Sequence, residues 1–147
     1  MARSIIAVIA SYVIMFVLNF LGFVTLYSIV GEDQAFKPRM YLASNRWIAM
    51  SCAFIFVSAI IAGLICAVIA KGGKANLALA IVIIVLGWLL AIPAVMKAKA
   101  NSGMIRAGNT AQMEAAQKAY WPMWTPFTFP IISAVGVLVG GKLKKRG

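Results

Sequence analysis

Histidine is absent from this chain, and acid is nearly so: Glu32, Asp33 and Glu114 are the only carboxylate side chains. All three lie outside the long apolar runs. An acid–base pair or a histidine metal site within those runs therefore has no raw material. Proton-coupled transport usually needs an intramembrane carboxylate or histidine, and neither is present. Cysteine is as scarce. Cys52 and Cys66 fall within one run, 14 positions apart. On one helix that is about 21 Å, too far for a disulfide between them. They have no metal-ligand spacing and read as small packing residues. No catalytic residue, metal or cofactor is expected.

Charge of either sign is missing from four stretches: Ser4 to Gly31, Trp47 to Ala70, Ala75 to Met96 and Ala119 to Gly141. They are 22 to 28 residues long. A bilayer core of about 30 Å needs about 20 apolar residues as helix. Hydrophobic residues make up 63% of the chain, where a soluble domain has about half. The fold class follows: an all-α polytopic membrane protein with four transmembrane helices in a bundle. The 147 residues form one domain, with spans near 4–30, 47–70, 75–96 and 121–141. The run after Arg3 is longer than the apolar core of a cleavable signal, so it reads as a retained first span.

What the chain has in excess is positive charge, a net +11. Basic residues at the ends of apolar spans are topology signals and anchors for anionic lipid, so nucleic acid is not expected as a partner. One side of the membrane takes Arg3, Lys71, Lys74, Lys142, Lys144, Lys145 and Arg146. The other takes Lys37, Arg39, Arg46, Lys97, Lys99, Arg106 and Lys118. The first set crowds very short segments, where the positive-inside bias is strongest. Both termini are therefore expected in the cytoplasm, in an inner or plasma membrane. Lys142, Lys144, Lys145 and Arg146 are the expected contact with anionic lipid. Trp47, Tyr120, Trp121 and Trp124 read as an aromatic belt on the other side, with Tyr41, Asn45 and Arg46 in the same rim.

Small residues carry the sharpest pattern. Ala49, Cys52, Phe56, Ala59, Gly63, Cys66 and Ala70 recur at 3-4 spacing in span two. Span three carries Ala80, Ile84, Gly87, Ala91, Ala94 and Ala98 at comparable spacing. Small residues let helices approach closely where lipid removes the hydrophobic drive. Only Lys71 to Lys74 separates the two spans. The expectation is a tight antiparallel hairpin of spans two and three, seam against seam. Gly136 and Gly140 form a small-xxx-small pair in span four, suited to another helix or another subunit.

The polar content of the spans is slight. Asn19 is read as their most polar side chain, with Tyr12 on the same face. Pro93 interrupts span three and frees the Leu89 carbonyl. Tyr12, Asn19 and Pro93 make one candidate polar site. Trp88, mid-span, suits packing or lipid contact. Pro122, Pro126 and Pro130 recur every four residues, which predicts a partly non-helical lead-in and regular helix from about Phe129 or Pro130. Asn101-Ser102-Gly103 supplies a helix stop. Asn109 with Gln112, and Glu114 with Lys118, predict a short surface helix whose stripe includes Met113 and Ala116.

Three functions fit such a chain. The leading expectation is a non-enzymatic accessory or scaffold subunit, with other membrane subunits or a second copy as partner. The alternative is an oligomeric channel or facilitator for a small solute or ion. The third is a lipid- or quinone-handling membrane enzyme using loop residues.

Overall fold

A computed structural model describes residues 1–71, 74–105 and 117–146. The surface helix expected near 109–120 lies largely outside them. Four long helices carry the fold: α1 (Ala2–Val30), α3 (Asn45–Ala70), α4 (Lys74–Asn101) and α5 (Thr125–Arg146). A single helical turn, α2 (Glu32–Ala35), follows α1. All four long helices are long and apolar enough to cross a membrane. The chain is an all-helical bundle of four membrane helices.

Local chemistry sets the boundaries. Gly31, at φ 78°, ends α1 in a conformation that side chains with a Cβ rarely adopt. The Ser44 hydroxyl accepts from the Trp47 backbone N–H at 3.1 Å and caps α3. Lys71 ends α3 in the left-handed region, at φ 55°. Asn101 closes α4, just before Ser102-Gly103. Helix α5 begins at Thr125, four or five residues earlier than the proline spacing suggested. Pro122 lies before the helix, and Pro126 sits in its first turn, where no backbone N–H is required. Only Pro130 interrupts the helical hydrogen-bond ladder.

The packing order is the main departure from expectation. Helices α3 and α4 follow one another through the short 71–74 connection, but α5 lies between them and they touch each other little. The seam expected to join spans two and three instead meets span four from both sides. On α3, Ala59 and Gly63 face α5: a Cβ added to Gly136 would lie 2.7 Å from Ala59 Cβ, and one added to Gly63 would lie 2.8 Å from Val137 Cα. On α4, a Cβ on Gly87 would lie 2.7 Å from Pro130 Cβ. The reason is that α5 brings two glycines of its own. Gly136 and Gly140 let its backbone reach the α3 backbone, which a facing Ile84 on α4 could not do. The 3-4 spacing is real, but its partner is α5.

Helix α5 is the least apolar span, with mean hydropathy 1.5 against 2.4 to 2.8 for the others. It is also the most enclosed for its length, with eight buried residues in 22 against three in 29 for α1. Helices facing lipid must be greasy; the one surrounded by helices need only be small. Helix α1 packs mainly on α3 through Ala7, Ser11 and Met15.

The ends of the bundle are distinct. Arg3 Nε donates to the Ile69 carbonyl at 2.6 Å, which puts the N-terminus beside the end of α3. At the other end, residues 36–43 fold back and pair in isolated bridges. The Ala43 N–H donates to the Tyr120 carbonyl at 3.0 Å, and the Tyr120 N–H donates to the Tyr41 carbonyl at 3.1 Å. An aromatic plug fills the space beneath: Tyr27 meets Trp47 at 6.3 Å and 88°, and Phe36 meets Tyr41 at 6.1 Å and 74°.

Candidate functional site

Over residues 4–30, 47–70, 75–96 and 125–141 the helices hold no Asp, Glu, His, Lys or Arg. What polar chemistry they have is amide and hydroxyl. Asn19 on α1 is tied to α3: the Ser58 hydroxyl lies 2.8 Å from Asn19 Oδ1, with the Ile55 carbonyl as its alternative acceptor at 2.9 Å. The amide thus has an interhelical partner. A second amide was not singled out in the sequence. Asn76, 3% exposed, donates from Nδ2 to the Gly63 carbonyl on α3 at 2.8 Å and to the Val137 carbonyl on α5 at 3.1 Å. It clamps three helices at one point and is more deeply enclosed than Asn19. Its place two residues after Lys74 made it resemble a rim residue. The available signal was a strong hydrogen-bonding group inside a charge-free run.

A cleft of about 330 Å³ opens between α1, α4 and the start of α5. Tyr12 and Asn19 stand on its α1 wall; Gly87, Ala91 and Ala94 on its α4 wall. Aromatic and proline side chains of 121–130 close one end. The mouth faces lipid, where Phe16 and Leu90 on either side are 64% exposed. Pro93 is not part of this wall; it points outward, exposed, from α4. The three residues of the polar candidate therefore do not converge: two line the cleft and the third faces away. Trp88, 47% exposed, is lipid-facing and donates from Nε1 to the Phe127 carbonyl at 3.3 Å.

The other singled-out residues divide by burial. Ala59, Gly63, Cys66, Ala91, Gly136 and Gly140 are buried in helix contacts. Cys52, Ala70 and Gly87 are half-buried, and Ala49 is exposed, so the α3 seam begins one turn later than its spacing implies. Both cysteines are free thiols. Trp47 and Tyr120, expected on the belt, are 7% exposed and belong to the protein interior. The fold-back of 36–43 covers them, which no local pattern announces. Trp121 is half-buried, edge-on to Phe129 at 5.1 Å, and Trp124 is 55% exposed. Lys142, Lys144, Lys145 and Arg146 are exposed at the end of α5.

Among the described residues no group of three or more His, Cys, Asp or Glu could hold a metal ion. The cleft can receive an apolar or weakly amphipathic surface, with Tyr12 and Asn19 as its polar groups. No family model matches the sequence, and no curated protein or solved structure matches it either.

Proposed function

We propose that this chain is a non-enzymatic accessory or scaffold subunit of a membrane assembly, and that the cleft between α1 and α4 is where its partner seats. The observation that carries this reading is the cleft of about 330 Å³ between α1 and α4, with the half-buried Ala94 on its wall and Phe16 and Leu90 exposed at its mouth. A small residue on a lipid-facing stretch of α4 lets a further helix approach closely. The partner is another membrane subunit or a second copy, gripped by packing rather than charge. Both termini lie in the cytoplasm, and the membrane is the cell's inner or plasma membrane. A second reading, a small amphipathic guest such as a lipid or quinone, is favoured by Tyr12 and Asn19 on the opposite wall.

Ala94→Trp fills the cleft without touching the core, since Ala94 is only half-buried. Native mass spectrometry of protein extracted from its own membrane in mild detergent reads the outcome. The wild type should retain a stoichiometric protein partner, and Ala94→Trp should lose it with an unchanged melting temperature. A wild type that runs alone, or a variant that keeps its partner, contradicts the proposal. In liposomes no solute flux is expected. Flux that Asn19→Leu abolishes would make the protein a channel instead.

A further inference from the structure

The end of the bundle that holds the N-terminus, the end of α3, the start of α4 and the end of α5 carries no Asp or Glu among the described residues. Arg3, Lys71, Lys74, Lys142, Lys144, Lys145 and Arg146 gather there, and residues 1–31, 34–113 and 115–147 contain no Asp or Glu side chain. A cavity of about 620 Å³ opens at this end, between the last turns of α3 and α5. Lys71, Lys142, Lys144 and Lys145 line it, and Asn76 forms part of its lining. The Asn76 amide bonds to α3 and α5 fix those helices around the cavity.

Helix dipoles do not explain this charge. The C-termini of α3 and α5 meet here with the N-termini of α1 and α4, and at about −0.5 and +0.5 charge each they cancel. The charge of the four ammonium groups is left uncompensated. The cavity is also two-sided in chemistry. Beside the lysines, Val68 and Leu138 present 53% and 38% exposed aliphatic side chains on the same lining. A free anion would use the lysines alone. A phospholipid would use both, with its headgroup on the ammonium groups and the start of its acyl chains on the aliphatic wall.

We propose that this cavity binds an anionic phospholipid whose headgroup carries two phosphates, held by Lys71, Lys142, Lys144 and Lys145. Two phosphodiester charges match this uncompensated charge better than one. The site shares no lining residue with the α1–α4 cleft and does not rest on the accessory-subunit reading.

The test uses the purified full chain in neutral detergent. Affinity is measured for a diphosphatidylglycerol, for phosphatidylglycerol, for phosphatidylcholine and for inorganic pyrophosphate. The two-phosphate lipid should bind tightest and phosphatidylcholine weakest, with pyrophosphate no better than phosphatidylcholine. Lys142→Gln/Lys144→Gln/Lys145→Gln should lower affinity for the two-phosphate lipid about a hundredfold, at about fivefold per lysine near a membrane surface. Lys71→Gln alone should lower it about fivefold. These side chains are exposed, so the fold should survive. Lys37→Gln/Lys99→Gln, at the opposite end, should leave it within about twofold. Equal loss in that control, no loss in the triple variant, or equal binding of the one- and two-phosphate lipids overturns the proposal. Pyrophosphate binding as well as the lipid would also overturn it, leaving an anion site without lipid recognition.

Discussion

Asn76 shows how one side chain can join elements that its neighbours in sequence do not suggest. Its Nδ2 reaches carbonyls on two other helices, 13 and 61 positions away. Those carbonyls can still accept their own helical hydrogen bonds, so losing the amide orphans no acceptor. Asn76→Ala should therefore cost only the net worth of the bonds and a small void, about 1–2 kcal/mol. Asn76→Asp should cost more, because a carboxylate beside two carbonyls is buried without a donor. Thermal unfolding in detergent checks the order; an Asp variant as stable as Ala would mean the amide clamps nothing. Asn19 was legible because it interrupts the middle of an apolar run. Asn76 was not, because it follows a lysine at a helix start and looks solvated there. Trp47 and Tyr120 were misplaced for a related reason. Aromatics at a span end ordinarily mark the interface, and only the long-range pairing of 41–43 with Tyr120 encloses them.

Helices α1, α3 and α4 start within two residues of the expected spans, whereas α5 starts four or five residues before the expected regular helix and ends five residues past the expected span. Charge-free length gives the spans, and Asn101 marks the end of α4. Which helix packs against which was not legible. A 3-4 stripe of small residues says that a close neighbour exists without naming it, and the short 71–74 connection favoured the wrong one. The deciding feature lay on α5, where Gly136 and Gly140 lower the cost of backbone contact with α3. Pro130 fits in the same way, since Gly87 leaves room for its ring. Helix packing therefore sets the penalty for filling this seam. Gly63→Leu pushes a branched side chain into the Val137 backbone, which cannot rotate away. Lost stability of about 1–3 kcal/mol is the overpacking scale, and backbone contact places it toward the upper end. A melting temperature equal to that of the wild type would remove Gly63 from the α3–α5 contact.

At the scale of the molecule, the bundle separates its chemistry by depth. The interior is packed with small residues and a few amides, the flanks face lipid, and the two ends differ. One end carries the folded aromatic plug; the other gathers seven cations and, among the described residues, no Asp or Glu. That asymmetry underlies the proposed orientation. A reporter fused after Gly147 should read cytoplasm, and a reading from the opposite side would reverse both termini. The α1–α4 cleft and the basic cavity each take one wall from α5, so both depend on that helix lying between α3 and α4. Disulfide cross-linking in a Cys52→Ala/Cys66→Ala background tests this placement most directly. Ala59→Cys with Gly136→Cys joins α3 to α5, and Gly87→Cys with Pro130→Cys joins α4 to α5. Both pairs should cross-link on mild oxidation, because each is within reach of disulfide geometry after a small helix shift. Ala59→Cys with Gly87→Cys, which would face each other if α3 and α4 packed directly, should stay reduced. Ready cross-linking of that third pair, with the first two unreacted, would contradict the account.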